Sequence, residues 1–170
     1  MGSANQISDP PFILRTHQPG DIGWIIHRHG LLYYKEFGWD ERFEALVAGI
    51  AADFINQYDP DLERCWVAEK AGEFLGCVMI VKHSSKESTA KLRLLLVEPS
   101  ARGLGVGRAL VQQCEAFARE AGYKRIELWT NKILTSARRL YTSEGYKCIS
   151  EEEHSTFGIK STGETWVREL

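Results

Sequence analysis

A glycine-rich turn is the part of this sequence whose residue types point most directly to chemistry. It reads Arg102-Gly103-Leu104-Gly105-Val106-Gly107-Arg108, between an apolar run at 92–97 and an amphipathic segment that reaches about Ala121. Glycines at alternate positions remove the side chains that would keep a ligand away from the backbone. Because N–H groups at the start of a helix attract anions, the turn predicts a pyrophosphate site, with Arg102 and Arg108 adding positive charge.

Two common phosphate-binding patterns do not fit this turn. A P-loop requires Lys and then Ser or Thr after its last glycine, but Gly107 is followed by Arg108 and Ala109. A dinucleotide-binding fold requires G-x-G-x-x-G near the start of a parallel unit. Here the spacing is G-x-G-x-G, and hairpin-forming strands come first. Glu127 lies at the distance of that fold's ribose-binding acid, but its context does not match.

Histidine and cysteine spacing gives no support for a metal site. His27 and His29 are two residues apart, and a helix would place them on different faces. The four cysteines include no C-x-x-C pair, and each lies in an apolar context. We therefore expect no bound metal and buried, reduced thiols, which are typical of the cytosol.

Composition and charge are those of an ordinary globular protein. The 170 residues are 44% hydrophobic and 26% charged with a net charge of −2, which predicts one domain over 1–170. The charge gives no reason to expect nucleic-acid binding. No apolar run approaches the roughly 18 residues of a membrane span, and no signal-peptide pattern opens the chain. We therefore expect a cytoplasmic protein that binds neither membranes nor nucleic acid, with 1–10 as a flexible segment.

Hydrophobic periodicity and turn residues predict the element order β-αα-βββ-α-β-α-ββ. The predicted strands span 12–15, 65–69, 74–81, 90–97, 125–130, 146–150 and 165–168. The predicted helices span 22–29, 40–56, 106–121 and 134–144, with Gly30 ending the first and 31–37 left unassigned. This order indicates an α/β fold with a mixed sheet of about seven strands and helices on both faces.

Two segments resemble the signatures of the GNAT family of N-acetyltransferases. Arg102-x-x-Gly105-x-Gly107 is similar to the family's acetyl-CoA signature, R/Q-x-x-G-x-G/A. The segment from Ala137 to Tyr146 is similar to its second signature, A-x-x-L-Y-x-x-x-G-F/Y. The two segments occur in the family's order. Within the family, 23–39 resembles the acetyltransferase domain that is fused to MarR-type transcriptional regulators, although no winged-helix segment is present here.

The resemblance implies a mostly antiparallel twisted sheet whose fourth strand separates from its neighbour. The free backbone of that strand would pair with the pantetheine arm of acetyl-CoA, and the turn would hold the pyrophosphate. The implied cofactor-binding residues are Leu95, Leu96, Val97, Arg102, Gly103, Leu104, Gly105, Val106, Gly107, Arg108 and Asn131. Asn131 is equally well explained as a helix cap, and Leu134 replaces the Asn that many members carry before the second signature.

Tyr141 is the implied catalytic residue. Its phenol would protonate the departing CoA thiolate during direct transfer of the acetyl group to an amine. The general base is not evident: Glu127 and Glu69 are candidates, but exposed salt bridges explain both. Tyr33, Tyr34 and Trp39 either line the acceptor pocket or pack in the core.

The predicted function is therefore acetyl-CoA-dependent N-acetylation of a primary amine on a small molecule or a protein. The alternative is a non-catalytic acyl-CoA sensor that serves a transcriptional regulator. A homodimer is left open, because dimers are common in the family.

Overall fold

A computed structural model describes residues 11–170, so the predicted flexible segment 1–10 lies outside it. The strands are β1 (Ile13–Thr16), β2 (Arg64–Lys70), β3 (Glu73–Lys82), β4 (Thr89–Val97), β5 (Arg125–Asn131), β6 (Lys147–His154) and β7 (Ser161–Glu169). The helices are α1 (Asp21–Phe37), α2 (Glu41–Asn56), α3 (Val106–Glu120) and α4 (Thr135–Ser143), with a 3₁₀ turn at Pro99–Ala101. The predicted element order is confirmed.

The seven strands form one mixed sheet in the order β1-β2-β3-β4-β5-β7-β6. Only β4 and β5 are parallel, and every other neighbouring pair is antiparallel. Helix α3 covers one face with an apolar core that includes Leu110, Cys114 and Ile126. On the other face, Ile25 of α1 and Phe54 of α2 pack against residues of β2 and β3. The prediction of a mostly antiparallel sheet with helices on both faces is confirmed.

Helix α1 is longer than predicted. It continues through Gly30 and ends at Gly38, whose backbone has a left-handed φ of 71° and whose N–H bonds to Tyr34 O. Gly30 instead marks a close approach between α1 and α2, because a Cβ there would lie 2.9 Å from the Glu44 carboxyl carbon. The prediction that Gly30 ends the helix was therefore wrong, and 31–37 is helical.

Strands β6 and β7 are also longer than the sequence pattern predicts. β6 is an edge strand, and its side chains up to Glu153 are exposed on both faces. A strand in that position needs no alternation of apolar and polar residues, so the acidic run at 151–153 gives no strand signal.

The cysteines are all free, and three of them are buried: Cys65, Cys77 and Cys114. Burial raises the pKa of each of these thiols, that of Cys65 to about 12. Cys148 is exposed on β6, so the prediction of a buried thiol was wrong there. None of the helices described over residues 11–170 is long and apolar enough to cross a bilayer.

Candidate active site

The sheet splits between its two parallel strands. β4 and β5 pair only from Thr89 opposite Arg125 to Leu92 opposite Leu128. Beyond that point β4 continues to Val97 and β5 to Asn131, each paired only with its other neighbour. The two strand ends therefore enclose a wedge into which β4 presents unpaired backbone groups.

A β-bulge in β4 accompanies this split. Leu94 and Leu95 together lie opposite Val78 of β3, because the register shifts between the pairs Met79–Arg93 and Cys77–Leu96. Leu94 has a left-handed φ of 52°, which is unfavourable for a leucine. A bulge of this kind bends its strand and increases the local twist. The bend thus turns the end of β4 away from β5.

The glycine turn and the wedge open into a cavity of about 610 Å³, which we call the turn cavity. It is lined by the backbone and side chains of α1, the end of β4, the turn, and the start of α4. The predicted cofactor residues that line it are Leu95, Leu96, Val97, Arg102, Gly103, Gly105, Val106 and Gly107. Most of the predicted cofactor site is therefore brought to one place.

Two helix N-termini face the turn cavity without a side-chain cap. Gly105 precedes α3 with a left-handed φ of 80°, and Leu134 precedes α4; neither residue has a polar side chain that could cap its helix. The first turns of both helices also lack acidic residues. Apart from Thr135 N, which donates to Ile133 O at 2.9 Å, the N–H groups of these first turns are free within residues 11–170. Together with the positive helix ends they make the turn cavity suited to a strongly anionic group such as a pyrophosphate.

Glycines also let the backbones around this cavity approach closely. A Cβ on Gly76 of β3 would lie 2.5 Å from the Leu96 carbonyl oxygen, which is too close for any side chain. A Cβ on Gly107 would lie 3.2 Å from Leu140 Cδ2 and 3.4 Å from Val97 Cγ2. Gly76 is a residue that sequence reasoning missed, although a lone glycine within a strand pattern is a recognised signal of close backbone approach.

Three predicted cofactor residues do not line the turn cavity. Leu104 is exposed, and Arg108 turns towards the end of α4, where it contacts Ser143 and Glu144. Asn131 is buried, and its side-chain oxygen accepts a hydrogen bond from Ile133 N at 3.2 Å. This bond closes a turn in the loop between β5 and α4, and Leu134, not Asn131, is the N-cap of α4, so Asn131 neither caps that helix nor lines the turn cavity.

Arg102 lies at the mouth of the turn cavity. Its guanidinium contacts the Glu36 carboxylate of α1, and about half of its side chain is exposed. This ion pair is exposed enough to exchange for a phosphate group.

A second cavity of about 620 Å³ lies on the α2 side of the sheet, and we call it the aromatic cavity. Its wall contains Tyr33, Trp39, Phe43, Trp129 and Phe157. Tyr33 and Trp39 also belong to an aromatic core cluster, so the predicted core packing holds for these two, whereas Tyr34 is exposed and lines neither cavity. The two cavities share the lining residues Tyr33, Leu95, Leu134 and Ala137, and therefore adjoin at the wedge.

Tyr141 lies on α4 and lines the aromatic cavity, with only 5% of its surface exposed. Burial raises the pKa of its phenol well above the usual value, so the group is neutral at physiological pH. Its ring packs near Tyr146, with centroids 5.7 Å apart. A neutral, buried O–H beside the wedge can donate a proton to a group formed there.

Glu127 lines the aromatic cavity as a buried carboxylate, not as the exposed ion pair that was predicted. Its oxygens lie 2.5 Å from Lys86 Nζ and 3.4 Å from His83 Nε2. Burial acts to raise the pKa of Glu127, but these two partners outweigh it and lower that pKa. Glu127 is thus an ion-paired, weak base. Glu69 is bound by Arg15 at 2.7 Å and lines neither cavity.

His29 is buried in the wall of the aromatic cavity, whereas His27 is exposed, so the two do not share a site. The His29 Nδ1 lies 2.8 Å from the Ile25 carbonyl oxygen, which makes Nδ1 the protonated nitrogen. Burial lowers the pKa of His29 from 6.5 to about 4. The imidazole is therefore neutral in the folded protein at physiological pH.

We expect His29 to make the protein less stable in mild acid. The unfolded chain takes up a proton near pH 6.5, but the folded chain does so only near pH 4, so stability falls as the pH drops between these values. Over the whole interval, the free energy of unfolding should fall by about 3 kcal/mol. Urea unfolding between pH 7.5 and 4 measures it: His29→Gln should flatten the profile and His27→Gln should not. Equal profiles for the wild type and His29→Gln would contradict this assignment.

A family model described as "Acetyltransferase (GNAT) family" matches residues 30–146. The chain belongs to the GNAT family. An uncharacterized N-acetyltransferase of Schizosaccharomyces pombe is 32% identical to this GNAT chain over 124 residues, which are 72% of the chain and 75% of the relative. Human N-acetyltransferase 8 is 31% identical over 113 residues, 64% of the chain, but the match spans only half of the human protein. The predicted family and the predicted enzyme class, an acetyltransferase, are confirmed.

Solved GNAT structures share the fold of this chain. A GNAT acetyltransferase from Staphylococcus aureus Mu50 superposes with a TM-score of 0.75 at 17% identity, over 94% of this chain and 99% of that one. A putative acetyltransferase from Salmonella typhimurium, solved with its cofactor acetyl-CoA, gives a TM-score of 0.74 at 17% identity, over 94% of each chain. As a member of the GNAT family, this chain uses acetyl-CoA as its co-substrate.

Proposed function

We propose that this chain transfers the acetyl group of acetyl-CoA directly to a primary amine. The observation that carries the proposal is the wedge between β4 and β5, which joins the anion-binding turn cavity to the aromatic cavity beside Tyr141. A donor held along β4 would present its reactive end to an acceptor on the other side. Donor and acceptor would then meet without a covalent enzyme intermediate.

The turn cavity suits the binding of acetyl-CoA. The N–H groups at the starts of α3 and α4 and the side chain of Arg102 can bind its phosphates. The unpaired backbone from Leu95 to Val97 can bind its pantetheine arm by strand addition. When bound, acetyl-CoA supplies an activated acetyl group and a thiolate leaving group.

In the proposed step, the neutral nitrogen of the acceptor forms a bond to the acetyl carbonyl carbon, and the carbon–sulfur bond breaks. Tyr141 gives its phenolic proton to the leaving sulfur, the nitrogen of the new amide loses a proton to solvent, and Tyr141 regains a proton from solvent. The phenol is neutral at physiological pH, so its O–H is available to donate to the sulfur as negative charge develops there.

The test is release of CoA thiol when the protein is incubated with acetyl-CoA and a panel of amines, including protein lysines. We expect thiol release that depends on the amine, with the acetylated amine found by mass spectrometry. Tight acetyl-CoA binding without turnover on any amine would contradict the proposal and support the sensor alternative.

The proposed enzyme is one domain over 1–170 that is cytoplasmic, uses no metal, and binds neither nucleic acid nor membranes. The resemblance of 23–39 to the acetyltransferase domain of MarR-type fusions also stays a prediction, and the matches reported above name no such regulator.

A further inference from the structure

Arg93 lines the aromatic cavity. It is the first residue of β4 beyond the segment paired with β5, so it lies where the wedge begins. Its side chain lies on the α2 side of the sheet and is half-buried. Only the bulged residue Leu94 separates it from Leu95, which lines both cavities.

No carboxylate of residues 11–170 forms an ion pair with Arg93. Burial lowers the pKa of its guanidinium, and the charge of Asp53 on α2 offsets this only in part. An arginine stays charged in proteins, and a half-buried cation without a partner is costly. This arrangement is the one expected when the partner is an anionic group of the substrate.

Lys91 adds a second positive charge to the same wall. Burial lowers the pKa of Lys91 and the charge of Arg93 lowers it further, and the charge of Glu127 offsets this only in part. Glu127 lies beside Lys91 on β5, but its carboxylate oxygens already contact Lys86 and His83. Two positive charges therefore lie in one wall, and the buried carboxylate of that wall, Glu127, is already paired with Lys86 and His83.

The remaining charges of the aromatic cavity lie at its rim. Glu152 and Glu153 are exposed, and Glu153 pairs with Lys160 at 3.1 Å. Solvent screens these carboxylates, so they compensate the charge of the inner wall poorly. The inner wall thus combines two cations with large aromatic surfaces.

We infer that the acceptor is a small amine that also carries a carboxylate, which Arg93 binds with support from Lys91. This inference rests on the proposed acetyl transfer and names its substrate class. A guanidinium binds a planar carboxylate through two parallel hydrogen bonds, which would fix the orientation of the acceptor. The aromatic wall would hold its apolar part, and the short distance from Arg93 to Leu95 suits an amine a few atoms from the carboxylate, as in an amino acid.

The experiment compares acceptors that differ only in the carboxylate. L-phenylalanine and L-leucine are each paired with their amides, with kcat/KM expressed per neutral amine, and phosphoethanolamine represents a phosphate-bearing amine. We expect the wild-type enzyme to prefer the acids. In Arg93→Met, kcat/KM for the acids should fall about 30-fold, whereas kcat/KM for the amides and KM for acetyl-CoA stay within about twofold.

Arg64→Met is the matched control. Arg64 is a half-buried arginine of β2 whose guanidinium donates to the Pro60 carbonyl oxygen at 2.7 Å and lies over the Phe117 ring, outside both cavities. This variant should keep the preference for acids. Arg93→Met should stay folded, since it replaces an unpaired cation by an apolar side chain of similar length, and circular dichroism checks this.

Binding of the acetylated product gives a readout that does not need turnover. N-acetyl-L-phenylalanine should raise the Tm of the wild type and of Arg64→Met but not that of Arg93→Met. If no amine is acetylated, the proposed function fails, and this Tm shift alone decides whether Arg93 binds a carboxylate. Equal rates with acids and amides, a preference for phosphoethanolamine, an equal loss for acids and amides in Arg93→Met, or the same Tm shift in Arg93→Met would each overturn the inference.

Discussion

Replacing Tyr141 by phenylalanine should lower kcat by about 10²- to 10³-fold and leave KM for acetyl-CoA within about twofold. The substitution removes only the phenolic O–H, so the ring keeps its packing against Tyr146 and Trp166. Tyr141 lines the aromatic cavity and not the turn cavity, so binding of the cofactor phosphates does not depend on it. Steady-state kinetics with a reactive amine measure both constants.

Tyr146→Phe is the matched control for this prediction. Tyr146 is as buried as Tyr141 and packs against it, but it lines neither cavity. Its kcat should therefore stay near that of the wild type. Unchanged turnover in Tyr141→Phe, or an equal loss in the two variants, would rule out Tyr141 as the proton donor.

Gly105→Val should raise KM for acetyl-CoA by at least about 100-fold. Gly105 precedes α3 with a left-handed φ of 80°, a conformation that is strained for a β-branched residue. A valine there would turn the local N–H groups out of position and would project into the space beside them. Since charge-assisted hydrogen bonds contribute about 1.5–3 kcal/mol each, losing two accounts for an effect of this size. Isothermal titration with CoA provides a direct check.

Gly122→Val separates backbone strain from loss of the site. Gly122 follows the other end of α3 and has a φ of 85°, and a Cβ added there, as at Gly105, would meet no atom within 4 Å. Both variants should lose about 1–2 kcal/mol of stability. Only Gly105→Val should lose affinity for CoA. A similar rise in KM for both would mean that strain, and not the turn itself, explains the result.

The glycine turn and the helix of Tyr141 could be predicted from sequence because their signals are local. A run of glycines before an amphipathic helix fixes a turn, an uncapped N-terminus and a ligand class within a few residues. The same reasoning located the strand that leads into the turn. It did not reveal the bulge at Leu94. A bulge is a shift in the register between two paired strands, here β3 and β4, and the residues of β4 alone do not show that register.

The aromatic cavity was beyond sequence reasoning for a related reason. Lys91 and Arg93 alternate with Leu92 and Leu94, which is the pattern of any half-exposed strand. Phe157 meets Trp39 across more than a hundred residues, with ring centroids 4.9 Å apart. Only the tertiary structure shows that these residues enclose one space. The length of α1 was not predicted correctly, because a glycine in the sequence resembles a helix end. In the structure, Gly30 instead lets α1 approach α2 closely.

The loop between β6 and β7 has a consequence for how enzymes of this shape can diversify. This loop carries Phe157 into the aromatic cavity, and its backbone is tied to the start of α2 by the hydrogen bond from Asp40 N to Phe157 O. The turn cavity takes no lining residue from β6, β7 or this loop. Under the proposed function, substitutions in the β6–β7 hairpin can therefore change which amine is accepted while the donor site stays intact, so acceptor choice and donor choice can evolve separately in one chain.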